Sequence, residues 1–165
     1  MRLTFAPRGI LQIDEARIVF RNFSGRGDQY NREGDRNFAL VIPDMELADE
    51  LIKDRWNVKI REPRDEGDTP FIFLPVKVKF NDRGPSVQLV TGNAKVKLYE
   101  DTVSCLDRID ISSVDMDIRP YDWVLYEGTK NEKRGRTAYL QSIRVFQEVD
   151  RFSDDFDDPA EMPFR

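Results

Sequence analysis

A mainly β fold, a small barrel or strongly bent sheet carrying one helix, is predicted by three observations. Most apolar residues alternate with polar ones over short runs, a single stretch repeats at three- and four-residue spacing, and Gly, Asn, Asp and Pro punctuate the runs. The 165 residues suit one domain with a single core and short appendages.

The elements follow in order. Ile10, Leu11 and Ile13 and then Ile18, Val19 and Phe20 flank a polar Asp14-Glu15, and the second run continues toward Phe23, which predicts one long strand or a bent pair. Residues 24–36, SGRGDQYNREGDR, hold three Gly among Ser, Asn and Asp and form a long loop of the kind that tends to be functional. Phe38 to Ile42 is a buried strand ending at Pro43. Asp44 then caps a helix whose apolar positions Met45, Leu47, Ala48, Leu51 and Ile52 make a core-packing stripe. Trp56 belongs to the core, Val58 and Ile60 mark a short strand, and an acid-rich loop, EPRDEGDT, follows.

Residues 71–80 place Val76, Val78 and Phe80 on one strand face and Lys77 and Lys79 on the other, with Pro75 indicating an edge or a bulge. After the turn NDRGP, the run SVQLVTG turns at Gly92-Asn93 into Ala94-Lys95-Val96-Lys97-Leu98. In one sheet with a common outward face, Lys77, Lys79, Lys95 and Lys97 would form a basic stripe; lysines on strand faces equally guard against edge pairing. A turn or short helix is expected at residues 102–106 and a strand from Ile109 to Ile118, stopping at Pro120. Residues 121–126 lead into the basic loop GTKNEKRGR, and the last strand, TAYLQSIRVFQEV, has two alternating sets that do not divide cleanly.

Many short strands, one helix and two protruding loops favour an OB-fold-like barrel with extra strands or loops, with an immunoglobulin-like β-sandwich as the alternative. The helix lies between the third and fourth strands of the chain, whereas an OB-fold carries it between the third and fourth barrel strands; extra N-terminal strands would reconcile the two.

Composition narrows the chemistry. There is no His, which removes Ser-His-Asp and Cys-His catalysis and the usual zinc ligand sets. The lone Cys105 reads as a buried small hydrophobe. No catalytic set, metal or cofactor is therefore expected, and the chain reads as a non-enzyme. No run of about 18 apolar residues and no signal peptide at Met1 are found, so no membrane is expected and a cytoplasmic setting follows, that of a bacterial host if the chain is phage-encoded.

Single-strand binding needs cations that follow phosphates and flat side chains on which unpaired bases stack. Two segments interleave both. The first sets Arg21, Arg26, Arg32 and Arg36 among Phe23, Tyr30 and Phe38; the second, spanning Tyr121 to Tyr139, sets Lys130, Lys133, Arg134 and Arg136 among those two tyrosines, Trp123 and Tyr126. Phe20 and Phe38 read as core residues, and Trp123 fits either role.

The remaining signal lies at the end of the chain, where a first domain of residues 1–149 gives way to a tail of residues 150–165. With the tail's 2 basic and 6 acidic residues set aside from the chain's 26 and 31, the first 149 residues carry 24 and 25. The tail is too polar to pack a core and is expected to be flexible. Asp154, Asp155, Phe156, Asp157 and Asp158 lead to Pro163 and Phe164, followed here by Arg165. This resembles the acidic tip of bacterial and phage single-stranded-DNA-binding proteins, and with the interleaved loops the chain resembles a bacteriophage-type OB-fold protein of that class.

The resemblance implies a non-catalytic protein that binds and protects single-stranded DNA in replication or recombination. Its tail would recruit replication or recombination proteins and compete with DNA for the basic groove. Homo-oligomerisation is compatible with it. Two alternatives stay open: a protein-interaction module or DNA-mimicking inhibitor, served by the tail and the acidic loop at 62–68, and a metal-dependent nuclease built on Asp110, Asp115 and Asp117.

Overall fold

The computed structural model describes residues 1–149. The expected tail of residues 150–165, with Asp154, Asp155, Phe156, Asp157, Asp158, Pro163 and Phe164, lies outside the described residues. In chain order the elements are β1 (Arg2–Phe5), β2 (Leu11–Asn22), β3 (Arg36–Val41), α1 (Met45–Lys53), β4 (Lys59–Arg61), β5 (Phe71–Val78), β6 (Ser86–Thr91), β7 (Ala94–Leu98), β8 (Ile111–Leu125) and β9 (Lys133–Gln147). Single 3₁₀ turns occupy Pro7–Gly9 and Val103–Asp107.

Five strands close a barrel in the order β2, β3, β5, β9, β8 and back to β2. All neighbours are antiparallel except β5 and β9, which run parallel and close the ring through Val76 opposite Ala138 and Lys77 opposite Tyr139. This is the OB-like arrangement, and the sandwich alternative is corrected by that closure, since one continuous sheet holds all nine strands.

Alternation on β5 explains the ring's two faces. Ile72, Leu74, Val76 and Val78 are buried inward, where they meet Leu11, Ile13, Phe38, Leu40, Ile118, Leu140 and Val145. Each such side chain stabilises the fold by roughly 1.5–3 kcal/mol relative to exposure. Phe71, Phe73, Pro75 and Lys77 take the opposite, outer parity. Pro75 sits where β5 changes partner from β4, paired at residues 71–73, to β9, paired at 76–77.

The helix forms as its cap predicts, with the Asp44 carboxylate accepting the Leu47 N–H at 2.8 Å. Ala48 and Leu51 are buried and Leu47 half-buried, while Met45 and Ile52, expected in the same stripe, are exposed. Trp56 is buried, as expected. The helix joins the second and third barrel strands. The position between the third and fourth is taken instead by the β6–β7 hairpin and the 3₁₀ turn at Val103–Asp107. An extra N-terminal strand, β1, pairs with the start of β2.

Two strand boundaries differ from expectation. β8 does not stop at Pro120 but continues to Leu125, paired throughout with β9. Its pairing with β2 ends at Ile118, so at Pro120 one flank has no ladder to interrupt. β9 starts at Lys133 rather than Thr137, because the last four residues of the basic loop are drawn into a long hairpin. Its unclean alternation has a local cause: Asp117 pairs with Ser142 and Ile118 with Leu140, so Gln141 is an extra residue that reverses the inward parity.

Candidate nucleic-acid interface

Register across four strands sets one line of outward side chains. Asn37 of β3 pairs with Lys77 of β5, Lys77 with Tyr139 of β9, and Tyr139 with Arg119 of β8. The Arg119 guanidinium lies over the Tyr139 ring at 4.9 Å, and Tyr121 meets that ring edge-on at 6.1 Å. Next on the same face, the Trp123 ring lies against Gly135, where a Cβ would overlap it, and its Nε1 donates to Thr137 Oγ1 at 3.1 Å. Tyr139, Tyr121 and Trp123 thus form an aromatic ladder ascending the β8–β9 hairpin.

Two grooves flank this line. One, of about 530 Å³, is lined by Arg32, Arg36, Lys77, Lys79 and Tyr139 with one acid from each side, Asp35 and Glu100. The other, of about 550 Å³, shares Lys79 and adds Arg83 and Arg119 with no acid. Lysine and arginine therefore predominate along a continuous surface, although the whole chain is acidic.

The loop between β2 and β3 borders the first groove and is organised by Asn31. Its amide donates to the carbonyls of Arg26 and Asp35 at 2.9 Å each, and its Oδ1 accepts from Asn37 at 2.8 Å. Gly25, at φ 73°, packs against the Gly34 backbone, and Gly34 N–H donates to its carbonyl at 2.7 Å. Tyr30 stands at the tip, 90% exposed. The β8–β9 turn presents Tyr126, 66% exposed at φ 53°, with Lys130 and Lys133 also exposed. Arg134 there pairs with Glu132 at 3.2 Å and holds that carboxyl below its ordinary range.

Several expected contacts are placed elsewhere. Phe23 is fully buried and stacked on Phe38 at 5.4 Å, so its ring has no face for a base. Arg21 is committed to structure, donating to the carbonyls of Leu106 and Ile109 at 2.6 and 2.7 Å. Arg36 donates to the Phe23 carbonyl at 2.9 Å and pairs with Glu100 at 3.4 Å while lining the groove. Arg136, 7% exposed, is held by Asp122 and cannot reach a phosphate from its position. Arg26 and Arg32 are exposed on the loop.

The four-lysine stripe does not form. Lys77 and Lys79 lie on the β5 side, whereas Lys95 and Lys97 lie on β7, beyond β6 at the far end of β9. Lys97 shares a cleft with Asp14, Asp115 and Asp117. Among the described residues no three His, Cys, Asp or Glu side chains come together in a way that could hold a metal ion. Nor is any helix there long and apolar enough to cross a membrane. Cys105 is half-buried against the core.

Sequence reasoning missed Arg119, which only cross-strand register brings to the line, and Arg83, which reaches the second groove from the turn after β5. It also missed an outer-face cluster. Phe20, expected in the core, is 58% exposed and meets Phe71 and Phe73 edge-on at 5.9 and 6.1 Å, with the Arg61 guanidinium above. A bulge causes this: Phe20 and Arg21 together oppose Phe38.

A protein-family model described as "Putative phage ssDNA-binding domain" matches residues 3–164. Among solved structures the chain is similar to a C-terminally truncated single-stranded DNA-binding protein from bacteriophage Enc34, with 14% identity, 91% of this chain and 97% of that chain covered, and a TM-score of 0.54. A second structure of the Enc34 protein matches with 12% identity, 98% of both chains covered and a TM-score of 0.53. At these identities the likeness is one of fold. No curated protein matches the chain.

Proposed function

This chain belongs to the phage single-stranded-DNA-binding domain family, and we propose that it coats single-stranded DNA without catalysis, using the outer face of β5, β9 and β8. The observation that carries the reading is the register line Asn37, Lys77, Tyr139, Arg119, which sets cation beside aromatic ring between two loops. Lys77, Lys79, Arg83 and Arg119 attract phosphates, and Tyr139, Tyr121 and Trp123 offer ring faces to unpaired bases. Each stacked base contributes about 1–3 kcal/mol, and because every base has a π-face the contact is indifferent to sequence. A duplex hides those faces in its own stack, so the same surface discriminates against it.

In the cell of a bacterial host this activity would protect single strands during replication or recombination. The acidic residues 154–158 and the Pro163-Phe164 pair would recruit partner proteins and, through charge, compete with DNA for the groove. Anisotropy titration of fluorescent oligo-dT and a matching duplex, at low and physiological salt, tests the reading. Tight single-strand binding that weakens with salt, with weaker duplex binding, is expected; no binding to oligo-dT at low salt would overturn it.

A further inference from the structure

We infer that Phe20, Phe71 and Arg61, supported by the buried ring of Phe73, form a second base-stacking subsite for single-stranded nucleic acid, at the opposite end of the β5 outer face from Lys77 and Tyr139. This rests on the proposed function and deepens it, by giving the bound strand two separate anchors.

Four observations converge. First, Phe20 is a bulky side chain more than half exposed in the left-handed region, at φ 52°. Bulky residues avoid that conformation, and such strain persists where the surrounding structure imposes it, often at binding sites. The bulge that imposes it sends Arg21 to bond the carbonyls of Leu106 and Ile109 and Phe20 out to solvent.

Second, the rings support one another. Half-buried Phe71 is stacked on buried Phe73 at 5.3 Å with their planes 28° apart, and the exposed Phe20 stands edge-on to both. Third, a cation is built in: the Arg61 guanidinium lies 5.7 Å from the Phe20 ring centre and 5.2 Å from that of Phe73. A base on Phe20 would bring its phosphate within reach of that guanidinium, which is the pairing of ring and charge that a nucleotide needs.

Fourth, the cluster continues the interface already described. Phe71, Phe73, Pro75 and Lys77 share the outer parity of one strand, with Phe71 and Pro75 half-buried, Phe73 buried at 8% exposure and Lys77 exposed. Phe73 and Lys77 are four residues apart, about 13 Å at strand spacing, too far for one nucleotide to serve both. The acid-rich loop at 62–68 enters β5 at its Phe71 end, so the negative charge lies past the cluster and marks where a strand would leave.

The test uses the full chain, with Phe20→Asn, because Asn tolerates the left-handed region while removing the ring. Affinities for oligo-dT of about 4 and about 16 nucleotides, the range an OB-fold covers, are compared with those of the unaltered protein and of Tyr139→Leu. The long oligonucleotide should bind Phe20→Asn roughly tenfold more weakly, the effect of losing one stacked base, and the short one should be unaffected. Independently of any variant, bromodeoxyuridine in the long oligonucleotide should photocrosslink to Phe20 or Phe71 of the unaltered protein. A folded Phe20→Asn protein with unchanged affinity at both lengths, or crosslinks confined to the β8–β9 face, would overturn the subsite. If Tyr139→Leu weakens binding in that case, the proposed function stands without it; if the unaltered protein binds neither length, both fall.

Discussion

Arg136 of β9 and Asp122 of β8 face each other across the hairpin in a two-pronged ion pair, Nε to Oδ1 at 2.7 Å and Nη2 to Oδ2 at 3.0 Å. The same guanidinium donates to the Asp54 carbonyl at 2.9 Å and lies over the Trp56 ring at 5.3 Å, while Trp56 Nε1 donates to the Asp54 carboxylate at 2.9 Å. The C-terminal end of α1 is thereby tied to the hairpin. By strand alternation Asp122 and Arg136 point away from the face that carries Tyr121 and Trp123. The cation that looked like a phosphate contact instead steadies, from behind, the ladder that would hold the bases.

Arg136→Ala should therefore act on stability before binding. Loss of charge-assisted bonds from a nearly buried guanidinium costs about 2 kcal/mol, which at this chain length lowers the melting temperature by roughly 4–8 °C. Thermal denaturation followed by circular dichroism checks this. The salt slope of DNA binding should not change, and a variant that melts normally but has a shallower slope would return Arg136 to the phosphate contacts.

Acid should weaken the same tie. Hydrogen bonding from Arg136 is the main cause of the Asp122 carboxyl lying below its ordinary value, with desolvation opposing it. A carboxyl whose folded value is depressed adds stability above the unfolded value and loses it as pH falls through the folded one. The chain should thus lose stability on the acid side of the ordinary carboxylate range. In Asp122→Asn that particular loss should be missing, visible as a flatter acid limb in melting temperature against pH.

Gly135→Ala tests the ladder itself. A Cβ there would overlap the Trp123 ring, which is held in place by its bond to Thr137. Displacing the indole should cost about 1–3 kcal/mol, as overpacking does, shift the tryptophan emission and weaken oligo-dT binding. Shifted emission with unchanged affinity would show that Trp123 contributes nothing to the interface.

How much of this could be read from the sequence depended on the range of the interaction. Asp44 and the spacing of Ala48 and Leu51 announced α1, because capping and helical period are local. Strand alternation likewise separated Val76 and Val78 from Lys77. Phe20 and Phe23 were exchanged, one expected in the core and found exposed, the other expected at the surface and found buried. The bulge that sets their parity depends on the partner strand β3, which no local pattern records. Arg119 was invisible for the same reason, since its place beside Tyr139 is a fact of β8–β9 register. Arg134 and Arg136 look alike in sequence, yet only the second meets α1.

The lysine pairs give the sharpest separation between what alternation suggests and what topology allows. Lys77 and Lys95 sit in similar amphipathic strands, but β5 meets β9 at Ala138 and Tyr139 while β7 reaches it only through β6, at residues 142–146. One pair borders the aromatic line, whereas in the other Lys97 lines a cleft together with Asp14, Asp115 and Asp117. Local potential, not lysine count, should decide phosphate binding. Replacing Lys77 and Lys79 with Ala should weaken oligo-dT binding and lower the slope of log affinity against log salt by about 0.7 for each phosphate no longer neutralised. Replacing Lys95 and Lys97 should leave both nearly unchanged, because the pair lies away from the aromatic line and Lys97 shares its cleft with three acids. Equal losses from the two double variants would mean that the strand wraps past β6 onto the β7 edge, and the interface would have to be redrawn around the far end of β9.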